Sequence, residues 1–288
     1  MTAWADYHRA LFLVIAAIAL AVSLAGISLP QDIKLGLLMA GVALLGVPHG
    51  ALDPLVARGA GIARNRRQFV RFFVVYTILA LSMLGLWWLA PALAFSSFLL
   101  LSIWHFSNDW DRELDKWQRL AVAAAVIAGP ALFWPQQTAE IFSALIPDFH
   151  AQLAAFVLNL AGVPIVAAVI LIATRQLRRN TGIALELLAI PLLAWTLTPV
   201  VFFVAYFCAL HSPRHLIDTV IRFSTSLGST LAAGIALSAV TIAVAVVAFS
   251  MLPDADLQDR QLRVVFVGLA ALTVPHMWLM HRARRAAA

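Results

Sequence analysis

The chain has 288 residues, of which 62% are hydrophobic and only 12% charged, and its mean hydropathy is +0.91. A soluble domain is about half apolar and a quarter charged. This chain therefore lacks the polar residues to coat a soluble fold, and a disordered chain or a nucleic-acid binder is excluded with it. The formal charge of +6 reads as the Lys and Arg surplus that membrane proteins collect in cytoplasmic loops. The single cysteine, Cys208, allows no internal disulfide.

A helix needs about 20 apolar residues to cross a bilayer. In chain order, the predicted spans cover about 10–30, 35–57, 69–89, 91–108, 118–135, 151–173, 182–198, 199–217, 230–252 and 262–281. Pro91 and Pro199 divide closely spaced runs. The first apolar run carries no convincing cleavage site before Gln31 and reads as a span rather than a signal peptide. No soluble domain, linker or internal repeat stands out. Residues 1–288 read as one transmembrane domain, an all-α bundle of about ten helices. With the N-terminus in the cytoplasm, 17 of the 20 basic residues fall on the cytoplasmic side, leaving Lys34, Arg260 and Arg263 outside. This bias predicts both termini in the cytoplasm and a multi-pass protein of the cell (inner) membrane.

Ionisable groups within a bilayer are costly and usually functional. His8 and His281 lie in terminal basic segments and His150 in a short outer loop, where ordinary surface roles are expected. The other five fall on even-numbered spans: His49 on the second, His105 on the fourth, His211 and His215 on the eighth, His276 on the tenth. All five lie toward the cytoplasmic end. His211 and His215 are four apart and share a helix face. The pattern predicts that at least three of these imidazoles bind a common metal, with Zn, Cu, Fe and Ni all suited to imidazole.

Asp53 follows His49 by four residues and Asp109 follows His105 by four. Ligating histidines usually give their second ring N–H to a carboxylate or carbonyl, so both aspartates are candidates to hold such a ring, on their own helix or a neighbouring one. Glu186 is a lone acid within the seventh span and must be paired, with a histidine or Arg214 as candidates. Trp104, Phe106, Phe202, Phe203, Phe207 and Trp278 lie near the histidines and could line an apolar substrate site. Packing or an interfacial belt is the plainer reading of such aromatics. Tyr206, five residues before His211, could offer a polar handle to substrate or oxygen.

The strings GVPHGALDPL (Gly46 to Leu55), WHFSND (Trp104 to Asp109), YFCALHSPRHL (Tyr206 to Leu216) and TVPHM (Thr273 to Met277) resemble the Brp/Blh-type family of bacterial and archaeal β-carotene 15,15′-dioxygenases. The resemblance runs from the second span to the last. It implies an integral membrane enzyme that cleaves the central double bond of β-carotene with O2, giving two molecules of retinal, and that uses non-haem Fe(II). Carried over motif by motif, it implies His49, His105, His211 and His215 as iron ligands. His276 lies in the family's last histidine motif, as an extra ligand or a supporting group. Ser107 stands where glycine is expected after the His-Phe pair. A retinal-accepting rhodopsin is an implied partner, alongside the lipid bilayer.

Rival readings remain open on the residues alone. Cleavage of a different carotenoid fits the same motifs. A haem-binding membrane protein would use axial histidine pairs. A metal transporter would need acids along a path through the membrane, where only Glu186 qualifies. A di-iron desaturase needs more histidines than these five.

Overall fold

Proline, glycine and short polar caps set most of the helix boundaries. The computed structural model describes residues 2–223, 227–252 and 256–287, and every regular element among them is helical. In chain order these are α1 (Thr2–Leu24), α2 (Gln31–Gly41), a wide π turn (Val42–Gly46), α3 (Val47–Ala51), α4 (Asp53–Gly59), α5 (Arg66–Leu89) and α6 (Pro91–Ser107). A tight turn (Asn108–Trp110) leads to α7 (Lys116–Phe133), α8 (Pro135–Ser143), α9 (Asp148–Gln176), α10 (Thr181–Thr196) and α11 (Pro199–Tyr206). A second π turn (Phe207–His211) leads into α12 (Ser212–Phe223), followed by α13 (Leu227–Ser250) and α14 (Leu257–Ala287).

Proline stands in the first turn of α4, α8 and α11 and begins α6, where its missing N–H has no helical partner to lose. Asn65 and Asn180 cap α5 and α10 by accepting from the backbone N–H of Gln68 and Ile183. Asp115 and Gln118 close a capping box at the start of α7. α1 ends on Gly26, whose φ of 72° lets the following amides fold back on the last turn.

Five helical stretches among the described residues are long and apolar enough to cross a membrane: Asp6–Leu24, Arg66–Leu89, Asp148–Gln176, Pro199–Thr219 and Leu257–Ala286. α7 and α8 meet at a bend of 105° and make a sixth if the pair is one crossing. Thr181–Thr196 and Ser238–Ser250 are apolar but shorter. The predicted span at about 35–57 is instead broken into α2, the π turn, α3 and α4. Pro48 and Pro54 remove backbone donors from the region, and a Cβ on Gly50 would meet nothing within 4 Å. The divisions expected at Pro91 and Pro199 are present. Apolar side chains face outward along α5 (Val70, Val74, Ile78, Leu81) and α9 (Leu153, Phe156, Val157, Leu160, Val163). Such surfaces are stable against lipid and unstable against water, and the chain is a helical membrane protein.

The chain divides into two compact units, Met1–Ala40 with Ser102–Arg214 and Gly41–Leu101 with His215–Ala288. In the first, α7 lies along α9, α10 packs on both, α1 packs on α10 and α8 folds back on α9. Backbones come close here: a Cβ on Gly162 would stand 2.8 Å from Leu132 Cβ and 3.3 Å from the Ala128 carbonyl oxygen, and one on Gly129 would stand 2.9 Å from Ala194 Cβ. Small residues of this kind drive helix packing in lipid. In the second unit, α4, α5 and α14 pack around Val56, Ala57, Phe72, Leu279 and Ala283.

Gly162→Val should cost about 1–3 kcal/mol by overpacking the α7–α9 contact. Thermal unfolding in detergent should show a lowered midpoint, and an unchanged midpoint would mean that the two helices have room to part.

Candidate active site

In the first unit, His105 sits in the last turn of α6 and Asp109 in the tight turn that follows. The π turn between α11 and α12 brings Tyr206 and His211 to the same carboxylate. Five residues apart on an ordinary α-helix, they would point about 140° away from each other; the wider turn closes that angle. The Tyr206 hydroxyl donates to Asp109 Oδ2 at 2.7 Å. The Nδ1–H of His211 donates to the same carboxylate, at 3.0 Å from Oδ1 and 3.1 Å from Oδ2. That fixes the tautomer and turns the Nε2 lone pair of His211 toward His105, whose Nε2 lies 3.1 Å away. The ring centroids are 4.7 Å apart at 76°.

A second network holds this arrangement in place. Glu186 is fully buried between two guanidiniums. Arg214 reaches it through Nη2 at 2.7 Å and Nη1 at 3.1 Å, Arg9 through Nε at 3.3 Å, and Trp110 donates to it from Nε1 at 2.6 Å. Arg214 Nη1 also donates to the backbone carbonyl of Asp109 at 2.8 Å, so the ion pair anchors the backbone that carries the histidine's acceptor. Glu113, in the loop before α7, accepts from Arg9 at 3.3 Å. Burial pushes its carboxyl above the usual range, while Arg214 and Arg9 pull it back. Of the two partners expected for Glu186, the structure selects Arg214.

The second unit repeats the carboxylate–tyrosine–histidine arrangement with different helices. Asp53 opens α4 and is 1% exposed. Its Oδ1 accepts from His276 Nδ1 of α14 at 2.8 Å, and its Oδ2 accepts from the Tyr76 hydroxyl of α5 at 3.0 Å. The His215 and His276 rings stand 5.0 Å apart at 73°. His49 lies on α3, and its side chain is outside the described residues. Among the described residues, no group of three or more His, Cys, Asp and Glu side chains is arranged to hold a metal ion.

The expected substrate aromatics divide. Phe106 packs edge-on to His211 at 4.8 Å and to Tyr206 at 5.1 Å. Phe203, Phe207 and His211 form a stack, with 5.0 Å and 5.5 Å between successive rings. Phe202 is buried and Trp104 is exposed. Trp278 belongs to the apolar cluster of the second unit and stacks on Phe72 at 6.3 Å. Ser107 spends its hydroxyl on the Trp104 carbonyl of its own helix at 2.7 Å. His8 corrects the expectation of a surface residue. α1 begins at Thr2, so His8 lies inside the helix, where it is 4% exposed and its Nε2 bonds the Ala209 carbonyl of the π turn at 3.1 Å. His150 and His281 are exposed as expected. Arg9 and Arg214, counted as cytoplasmic charge, are ion-paired inside the first unit. Tyr76 and Trp110 went unread; the only available signal for Tyr76 was its rarity, as one of three tyrosines in the chain.

The sequence model of the family described as Beta-carotene 15,15'-dioxygenase matches residues 40–282. The chain belongs to that family. The enzyme is thus a carotenoid-cleaving dioxygenase, and the matched stretch contains both carboxylate–tyrosine–histidine arrangements. A similar protein, the Beta-carotene 15,15'-dioxygenase of uncultured marine bacterium 66A03, is 29% identical over 252 residues, covering 83% of this chain and 90% of its own length. No solved structure matches the enzyme.

Removing Glu186 takes away the carboxylate that the largely buried guanidiniums of Arg9 and Arg214 share. Glu186→Ala should destabilise the enzyme by about 3–5 kcal/mol, the usual cost of breaking a buried pair. Thermal unfolding measures this; a loss below about 1 kcal/mol, the range of an exposed pair, would mean that water reaches the cluster.

Proposed function

We propose that the enzyme cleaves the central 15,15′ double bond of β-carotene with O2 to give two molecules of all-trans-retinal, and that it depends on non-haem iron(II). The reaction balances without a further reductant: the C=C bond breaks and each carbon keeps one atom of O2 as an aldehyde oxygen. The imidazoles carried by the family's motifs, His49, His105, His211 and His215, are the proposed iron ligands.

The facing nitrogens of His105 and His211 carry this reading furthest. Two imidazoles bound at about 2.1 Å and at a right angle on one ion have nitrogens about 3.0 Å apart. The observed 3.1 Å fits that spacing, and neutral imidazole suits iron. Bound iron(II) would supply the redox chemistry that lets a spin-paired polyene react with O2. The protein's part is then to hold and orient. Asp109 keeps the proton of His211 on Nδ1, and Tyr206 donates to the same carboxylate, so the ring cannot turn or change tautomer without losing a buried hydrogen bond. Tyr206, expected to serve substrate or oxygen, donates its hydroxyl to Asp109 in the structure. Phe203, Phe207 and Phe106 give the polyene an apolar, aromatic surface beside His211, where burial is worth about 25 cal/mol per Å². A substrate with almost no polar handle must be held in register by such surfaces.

The setting suits the substrate. β-Carotene dissolves in the lipid bilayer, and an enzyme in the same phase takes it without extraction into water. We place the enzyme in the inner membrane with about ten crossings and both termini cytoplasmic, on the bias of Lys and Arg between alternate loops. Retinal released into lipid can pass to a retinal-accepting membrane protein such as a rhodopsin.

Expression in a β-carotene-producing bacterium should bleach the cells and yield retinal by chromatography. Unchanged carotene alongside folded, iron-loaded enzyme would overturn the substrate assignment, and shorter or unequal aldehydes would move the cleavage site. His211→Ala should lose iron and turnover together, whereas Tyr206→Phe should keep its iron. Full iron and turnover in His211→Ala would remove it from the ligand set.

A further inference from the structure

Beside His215, the second unit holds three groups that the four-histidine reading does not use: Asp53, Tyr76 and His276. Asp53, at the start of α4, accepts from His276 Nδ1 at 2.8 Å, and Tyr76 of α5 donates to the other oxygen of that carboxylate at 3.0 Å. The neighbouring imidazole of His215 stands 5.0 Å away at 73°. The first unit shows nearly the same figure: an aspartate on Nδ1 of His211, a tyrosine hydroxyl on that aspartate, and a second imidazole 4.7 Å away at 76°. The two sets share no residue and come from different helices.

We propose that His276 is a further metal-binding imidazole beside His215, and that Asp53 and Tyr76 are the positioning residues that present it. The inference rests on the iron reading above. The carboxylate holds the ring proton on Nδ1, which leaves Nε2 as the basic nitrogen, and a carboxylate behind an imidazole makes that nitrogen a stronger donor. Tyr76 occupies the second carboxylate oxygen, so Asp53 stays satisfied in a buried position and does not swing to another partner. A histidine needed only to fill space or bond Asp53 would not require this orientation. The bare Nδ1 hydrogen bond could be made by an asparagine amide.

That difference supplies the test. His276→Asn keeps a donor where Nδ1 stood and removes Nε2. Full-length wild type, His276→Asn and Tyr76→Phe would be purified in detergent, stripped of metal and titrated with Fe(II), and in parallel with Co(II) to read its visible d–d bands. His276→Asn should lose at least tenfold in affinity for both ions and change the Co(II) band pattern. Tyr76→Phe should lose severalfold, at the lower end of the 10–100-fold typical of groups behind a ligand, with a smaller band shift. His276→Asn with wild-type affinity and bands overturns the proposal. If His276→Asn does not fold, Tyr76→Phe decides: wild-type affinity and bands there overturn the positioning arrangement. Wild-type protein that binds neither ion overturns the iron reading as well, so the two failures are told apart.

Discussion

An ionisable group taken out of water into an apolar bundle must find a partner of matching chemistry, and much of this enzyme's architecture follows from that requirement. The Asp109 side chain is 6% exposed and takes two donors, Tyr206 and His211. Asp53 is buried and takes Tyr76 and His276. Glu186 is buried between Arg9 and Arg214. Each acid settles the orientation of the groups around it, because turning any one away would strand a charge in a low-dielectric interior. The orientation of the buried imidazoles is therefore a consequence of charge burial.

The backbone supplies the acids and rings at usable angles by departing from regular helix. Asp53 stands where α3 gives way to α4, and Asp109 where α6 gives way to a tight turn. Tyr206 and His211 flank a π turn, and a second π turn precedes His49. Straight α-helices of the predicted lengths would scatter these side chains around their axes. The proline and glycine residues near the breaks weaken the helix where the corners form, and neighbouring side chains take up freed backbone groups, as Arg214 does for the Asp109 carbonyl.

Much of this was legible in the sequence, within physical limits. Hydropathy gave the helical membrane class, and Pro91 and Pro199 gave their boundaries. Histidines in apolar spans stood out because so little else there is polar. The spacing of His49 to Asp53 and His105 to Asp109 drew attention to the right acids. It did not say which rings they hold: Asp109 bonds a histidine 102 residues later and Asp53 one 223 residues later. Four-residue spacing implies a shared face only on an unbroken helix, and both stretches are broken. The same breaks divide the helix predicted at 35–57 into shorter pieces. Arg214 was a named candidate for Glu186, and the structure pairs them; His8 and Arg9 were read as peripheral because charge near a chain end ordinarily is, and nothing local reveals partners such as the Ala209 carbonyl or Glu186 far along the chain. Tyr76 sits in an apolar run with no motif around it, so only the fold exposes its role.

X-ray absorption at the iron edge of the purified enzyme reads the metal's neighbours. Iron bound mainly by nitrogen at about 2.1 Å, with the outer-shell scattering characteristic of several imidazole rings, is the expected result. A protein that retains no iron on purification, or iron surrounded by oxygen with no imidazole signature, would contradict it.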